Sequence, residues 1–140
     1  MDLIIGDHTT EAGKFVKAWN KQIYGNELHE PYAVLLWTHD GQPTDTVLFN
    51  NYNKSSIEVH IHTTNGLTRR VIRAIYNYVF VQLKCNILVG VTPRDSVKML
   101  KILPRLGFKY LATIPMFYGA TKGRDGIMYY TDVQKFSRWK

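Results

Sequence analysis

The sequence predicts an α/β protein in which a mixed, mostly antiparallel sheet carries helices on both faces. Three strand-like segments follow one another between residues 31 and 63, and a helix-like segment then separates the third from an apolar strand at residues 86–91. Successive strands joined by short turns pair antiparallel, whereas a strand, helix, strand unit places two strands side by side in parallel through a right-handed crossover. The length of 140 residues suits one core, so we expect one domain over residues 1–140.

The first two elements follow from local signals near the N-terminus. Residues 2–5, which contain an apolar run of three, can start a strand. Residues 11–24 place aromatic and apolar side chains at helical spacing, with Thr9 or Thr10 available as the N-cap and Gly25 as the stop. The pattern therefore predicts a strand followed by a helix of about 14 residues.

The next segment predicts a meander of antiparallel strands. Residues 31–53 contain two apolar stretches around Asp40-Gly41, a dipeptide typical of tight hairpin turns. Residues 55–63 alternate polar and apolar side chains with period two, which indicates a third strand.

A change of period marks the next helix. From Leu67 to Phe80, apolar residues recur on one helical face. The wholly apolar run at residues 86–91 then suits a strand covered on both faces. Residues 95–103 predict another helix, capped by Asp95 or Ser96.

The C-terminal part completes the sheet. Pro104 interrupts the preceding helical pattern and is expected to kink or end it. Residues 109–116 and 126–132 form a final strand pair, and residues 133–140 add a closing helical turn.

Composition and charge restrict the class of partner. The net charge of +7 favours an anionic partner, which is a phosphate-bearing cofactor, a nucleic acid or an acidic surface. Cys85 is the one cysteine, so no disulfide forms within the chain and a reducing cytosol is expected. No signal peptide and no stretch of about 20 apolar residues is present, so we expect a cytoplasmic protein without a membrane partner.

The junction between the strand at 55–63 and the following helix has the chemistry of a phosphate site. The N-terminus of a helix presents unpaired backbone N–H groups and a partial positive charge. Gly66 allows close approach of the backbone, Thr68 caps or donates, and Arg69 and Arg70 neutralise an anion.

The ordered set of these segments resembles the GNAT superfamily of acyl-CoA-dependent N-acyltransferases, especially small members encoded by bacteriophages. The resemblance is best from about residue 32 to residue 130. It rests on "VLFNNYN", then "SIEVHIHTTNGLTRRVIRAIYNYVF", the apolar "NILVGV", and "RLGF" where the family often ends its fourth helix. It implies acetyl-CoA as the acyl donor and a primary amine as the acceptor.

The resemblance also implies positions for the donor. The family loop is (Arg or Gln)-x-x-Gly-x-(Gly or Ala), and the best register here is "NGLTRR", in which Asn65, Thr68 and Arg70 depart from the pattern. The diphosphate is expected at the backbone of Gly66, Leu67, Thr68, Arg69 and Arg70. The pantetheine arm is expected along the strand before it, at His60, Ile61 and His62.

Two further family positions fall in the next helix. An Asn that contacts the donor and a Tyr that protonates the leaving thiolate are replaced here by Ser96 and Leu103. Ser96 retains a hydroxyl for the pantetheine arm, but Leu103 has no proton to give. The proton must then come from water or from a tyrosine such as Tyr110 or Tyr118.

Glu58, His60 and His62 share one face of a strand, because side chains alternate with period two. Acyl transfer to an amine requires a base that removes the ammonium proton, and Glu58 and His60 are the candidates. The alternative is a polar strand face without a catalytic role. His60 and His62 also have the spacing of zinc ligands on a strand, but a third ligand would have to come from elsewhere, and we assign no metal.

Two other functional classes compete with acetyl transfer. The departures in the loop and at Leu103 favour a catalytically silent GNAT-fold protein of a phage, which is a virion component or an inhibitor of a host protein. Its partner would be a protein or a second copy of the chain, in the host cytoplasm or the virion. Nucleic-acid binding rests on charge alone and ranks lowest, because no recognition motif accompanies it.

Overall fold

The computed structural model describes residues 2–25, 27–64, 66–119 and 124–136. Its strands form one sheet of seven in the order β1-β2-β3-β4-β5-β7-β6. The strands are β1 (Asp2–Asp7), β2 (Tyr32–His39), β3 (Gln42–Asn50), β4 (Ser56–Thr63), β5 (Ile87–Pro93), β6 (Lys109–Ile114) and β7 (Gly126–Asp132). The α-helices are α1 (Glu11–Tyr24), α2 (Arg69–Tyr76), α3 (Val97–Ile102) and α4 (Val133–Phe136).

The sheet is mixed and mostly antiparallel, as predicted. Strands β4 and β5 pair in parallel through the crossover that contains α2, and the five other pairings are antiparallel. The hairpin at Asp40-Gly41 joins β2 and β3. The α/β fold class is therefore confirmed.

Helix α1 begins and ends where the sequence predicts. The hydroxyl of Thr10 accepts a hydrogen bond from the N–H of Gly13 at 3.1 Å, and Gly25 ends the helix with φ at 77°. Gly13 also allows α1 to pass close to β1, because a Cβ atom there would lie 1.8 Å from the carbonyl oxygen of Asp7.

Two hydrophobic clusters cover the two faces of the sheet. Val16 of α1 packs against one face, with members Val16, Leu28, Tyr32, Val34, Leu36 and Leu48. The larger cluster packs around α2 on the opposite face, where Val71, Ile72, Ile75 and Tyr76 are fully buried. Helices on both faces are thus confirmed, and we call these two sides the α1 face and the α2 face.

The structure corrects three local predictions. The helix predicted to run from Leu67 to Phe80 is α-helical over Arg69–Tyr76 and then widens into a π-helix over Asn77–Gln82, a difference that hydrophobic spacing alone does not reveal. Strand β5 is not covered on both faces, because α1 packs on β1, β2 and β3 and leaves Ile87 38% exposed. Ser96 precedes α3, but its side chain forms no capping hydrogen bond.

Candidate functional site

The site begins where the two parallel strands separate. β4 and β5 pair from Ser56 opposite Ile87 to Val59 opposite Gly90, and the pairing ends there. β4 continues to Thr63 and β5 to Pro93, so each strand has an unpaired edge facing the other. We call the gap between these two edges, residues 60–63 and 91–93, the β4–β5 cleft.

The cleft has a narrow inner part and a wide outer part. The outer part has a volume of about 920 Å³ and is lined by the end of β4, the loop that follows it, and α3 with the residues just before it, among them Gly66, Leu67, Ser96 and Lys98. Its volume is in the range of ordinary ligand sites, about 300 to 1,000 Å³. The inner part has a volume of about 30 Å³, room for only a water molecule or two.

Two tyrosine hydroxyls fill the inner part of the cleft. Tyr24, the last residue of α1, donates a hydrogen bond to the carbonyl oxygen of Ile61 at 2.9 Å, and Tyr118 donates one to the carbonyl oxygen of Val91 at 3.1 Å. Both oxygens belong to strand edges that have lost their neighbour, and a buried backbone oxygen needs a hydrogen-bond donor. Burial raises the pKa of both phenols above its ordinary value, most of all for Tyr118, so both stay protonated.

Arg124 holds the two tyrosines together from the strand connection after β6. Its guanidinium donates to the carbonyl oxygen of Tyr24 at 2.7 Å and to that of Tyr118 at 3.2 Å. It also lies 5.7 Å from the centre of the Tyr118 ring, and the Tyr24 and Tyr118 rings are 5.8 Å apart. These contacts connect the two halves of the sheet across the cleft.

A polar cluster lies on the α1 face beside the inner cleft. His60 is buried, and its Nε2 lies 3.0 Å from Oδ1 of Asn50 and 3.7 Å from Oε2 of Glu58. Asn51, in a left-handed conformation with φ at 53°, donates to Glu58 Oε2 at 2.8 Å. The facing His60 ring is the main cause that lowers the pKa of Glu58, the Asn51 hydrogen bond adds to it, and burial opposes both.

This cluster brings the two predicted base candidates together. Glu58 and His60 are adjacent, and His60 also lines the inner cleft. His62 lies on the same strand face, but its ring packs on Trp19 at 5.0 Å and burial lowers its pKa. Among the described residues, no three His, Cys, Asp or Glu side chains gather closely enough to hold a metal ion.

The predicted phosphate loop lies at the outer mouth of the cleft. Thr68 caps α2 by accepting from the N–H of Val71 at 3.3 Å, and Arg69 and Arg70 form the exposed first turn. Gly66 has φ at 85° and open space where a Cβ would stand. Asn65 lies outside the described residues.

The remaining predicted residues separate into those that line the cleft and those that do not. Ser96 lines the outer part, and Leu103 lines the inner part together with Tyr118. Tyr110 is 58% exposed on β6 and bonds to Thr113 instead. Tyr24 is a cleft residue that sequence reasoning missed, because its helical spacing carries no sign of the strand edge it reaches.

The comparisons with known proteins concern the fold. The sequence matches no protein-family model and no curated protein. A mutant of the spermidine N-acetyltransferase SpeG from Vibrio cholerae superposes with a TM-score of 0.75 at 15% identity, over 99% of this chain and 98% of that one. The N-acetyltransferase PseH from Campylobacter jejuni, in complex with acetyl coenzyme A, gives a TM-score of 0.58 at 16% identity, over 94% and 99%.

A putative phosphinothricin N-acetyltransferase gives a TM-score of 0.65 at 12% identity, over 94% of this chain and 98% of that one. At such identities the likeness shows only that this chain shares its fold with these N-acetyltransferases. None of the described helices is long and apolar enough to span a membrane.

Proposed function

We propose that the protein is an N-acetyltransferase that binds acetyl-CoA in the β4–β5 cleft and transfers the acetyl group to a primary amine. The observation that carries the proposal is the separation of β4 and β5 after Val59 and Gly90. It provides a cavity between two unpaired strand edges, in a fold shared with N-acetyltransferases of which one was solved with acetyl-CoA. Amide groups of a ligand can hydrogen-bond to such an edge as a neighbouring strand would.

The outer cleft fits the anionic end of the donor. The backbone from Gly66 to Arg70 would hold the diphosphate at the start of α2, where N–H groups and two arginines meet. Leu67 lies within this segment and is buried, so it anchors the loop. Ser96 offers a hydroxyl from the opposite side of the outer cleft.

The inner cleft fits the reacting end. His60, Ile61 and His62 would lie along the pantetheine arm, which delivers an acetyl group activated as a thioester. The N–H of Ile61 points into the cleft, as its carbonyl oxygen does, because both groups of one strand residue lie on the same side. This N–H is suited to stabilise the negative charge that develops on the acetyl oxygen.

Glu58 and His60 are proposed to remove the proton of the acceptor ammonium. Both belong to one hydrogen-bonded cluster beside the inner cleft, on the α1 face. Of the two tyrosines considered for the thiolate, Tyr118 lies in the inner cleft and Tyr110 does not. We therefore assign proton donation to Tyr118.

The alternative function is a catalytically silent GNAT-fold protein that binds a protein partner or a second copy of itself, as a phage virion component or host inhibitor. The observation that favours it is the inner cleft, which Tyr24 and Tyr118 fill. A phage origin and a cytoplasmic location stay predictions of the sequence. Nucleic acid remains the least supported partner.

The test is calorimetric titration of acetyl-CoA, CoA and 3'-dephospho-CoA into the protein. We expect a dissociation constant of about 10 to 100 µM, or roughly 5.5 to 7 kcal/mol. The double variant Arg69→Ala, Arg70→Ala should weaken binding about tenfold or more, because charge-assisted bonds to phosphate contribute about 1.5 to 3 kcal/mol. Arg73→Ala, one turn further along α2, is the matched control.

Absence of binding at high protein concentration would contradict the proposal, and a protein captured specifically by the purified chain would then favour the alternative. If the donor binds, acetyl-CoA is incubated with primary amines that include polyamines and lysine peptides. Release of CoA that depends on the amine, together with a product heavier by one acetyl group, identifies the acceptor.

A further inference from the structure

We propose that Asn50 and Glu58 hold His60 as the tautomer protonated on Nε2. Nδ1 is then the atom that takes the proton from the amine substrate. This inference rests on the proposed acetyl transfer for its catalytic part. Its structural part, the position of one proton on one ring, is independent of any substrate.

Two oxygen atoms lie near one nitrogen of the His60 ring. Nε2 lies 3.0 Å from Oδ1 of Asn50 and 3.7 Å from Oε2 of Glu58. A carboxylate oxygen accepts hydrogen bonds and cannot donate them. A neutral imidazole carries one N–H, and the nitrogen that faces acceptors is the one that keeps it. Two oxygens on one side therefore place the proton on Nε2.

A hydrogen bond from Asn51 helps to keep Glu58 ionised and in place. The Asn51 amide donates to Oε2 of Glu58 at 2.8 Å, the same oxygen that faces His60. Asn51 follows Asn50 at the end of β3, and its left-handed backbone turns the second amide toward β4. Asparagine tolerates this conformation better than most residues. The tandem asparagines thus orient the ring and the carboxylate from one short segment.

Nδ1 is the ring nitrogen of His60 on the side away from these oxygens. Within the described part of the chain, Nδ1 of His60 has no hydrogen-bond partner, and it is not one of the buried polar atoms closed off without one. His60 lines the inner cleft. The unprotonated nitrogen is therefore the free lone pair of a ring whose residue borders the inner cleft.

These positions divide the work between the two residues. Glu58 accepts a hydrogen bond from Asn51 and faces the protonated side of the ring, so it serves as a positioning residue, and Asn50 does so with it. His60 is the base: an N–H bond of the acceptor ammonium breaks and one forms on Nδ1. The resulting imidazolium is stabilised by the Glu58 carboxylate and returns the Nδ1 proton to water after the transfer.

The test is nitrogen NMR of ligand-free protein labelled with ¹⁵N-histidine, recorded at alkaline pH, where histidine is neutral. The His60 signals are assigned by their loss in His60→Gln. We expect Nε2 to show the shift of a protonated nitrogen and Nδ1 that of an unprotonated one. A proton on Nδ1 would overturn the proposal, whatever the protein binds.

Variants at Asn50 separate orientation from mere packing. Asn50→Leu removes the oxygen that faces Nε2, and the ratio of the two tautomers should move about 2- to 12-fold toward the Nδ1-protonated form. Asn50→Asp keeps an oxygen there and should retain the Nε2 proton. Asn86→Ala is the matched control. It removes the hydrogen bond that Asn86, just before β5, donates to the Ser55 hydroxyl, and it should change neither signal.

Glu58→Gln is a second variant that tests the positioning of His60, and it replaces Asn50→Leu if that variant does not fold. We expect the same direction of tautomer change and a fall in kcat larger than any rise in KM. An unchanged ratio in every foldable variant would refute the positioning role. A confirmed tautomer in a protein that binds acetyl-CoA and acetylates no amine would overturn the catalytic role alone, and absence of donor binding would count against the proposed function itself.

Discussion

Replacement of Tyr24 by Phe should make the protein bind acetyl-CoA more tightly. The Tyr24 hydroxyl donates a hydrogen bond to the carbonyl oxygen of Ile61 on the unpaired edge of β4. The proposed pantetheine arm needs such edge groups, and the inner cleft holds only about 30 Å³ while Tyr24 and Tyr118 remain in place. Acetyl-CoA and the Tyr24 hydroxyl therefore compete for a hydrogen bond to the carbonyl oxygen of Ile61.

The size of the effect follows from the bond that is lost. Removal of the Tyr24 hydroxyl leaves the carbonyl oxygen of Ile61 without its donor in the free protein, whereas bound acetyl-CoA can donate a hydrogen bond to it. A net hydrogen bond of about 0.5 to 1.5 kcal/mol corresponds to an affinity about 2- to 12-fold higher. The phenyl ring is retained, so packing against Tyr118 changes little.

Calorimetric titration of acetyl-CoA into wild type and Tyr24→Phe measures this difference. Tyr110→Phe is the matched control, because it removes an exposed hydroxyl that bonds to Thr113 on β6. An affinity that is unchanged or lower in Tyr24→Phe would refute the competition, and it would indicate that the donor lies against the tyrosine without displacing it.

Three further outcomes concern stability. Thr68→Ala should cost about 1 kcal/mol in urea unfolding, because α2 loses the cap to Val71. Gly13→Ala should cost about 1 to 3 kcal/mol, because its Cβ would overlap the Asp7 carbonyl oxygen; unchanged stability would contradict this close crossing. The folded pKa of Glu58 is lowered from 4.5, so its contribution is complete above that value and lost as pH falls through the folded pKa. Glu58→Gln should therefore flatten the acid side of the stability profile measured between pH 6 and the acid transition.

Local signals predicted most of the elements, and they did so because each is a short-range preference. The Thr10 cap and the Gly25 stop bound α1, and Asp40-Gly41 turns β2 into β3. The alternation around Glu58 and His60 likewise predicted one shared strand face, and the register with β3 confirms it, since Asn50 lies opposite Glu58.

Features that depend on packing between segments far apart in the chain could not be predicted from the sequence. The exposure of Ile87 depends on how far α1 extends over the sheet. The bond from Arg124 to Tyr24 joins residues 100 positions apart, and the hydroxyl of Tyr24 reaches a strand edge that exists only because β4 and β5 separate. Helical spacing describes which side of a helix is buried and carries no information about what its last residue meets.

Acidic and basic residues are unevenly distributed along the chain. Eight of the 11 acidic residues lie within residues 1–58, and 14 of the 18 Lys and Arg lie within residues 59–140. The first segment supplies α1, β1 to β3 and Glu58, and the second supplies the loop at Gly66 and helices α2 and α3. An anionic donor is attracted to positive charge such as that of the second segment. The base cluster of Glu58 and His60 lies where the two segments join in the sequence, so the basic loop proposed to hold the donor follows directly after the strand that carries the proposed base.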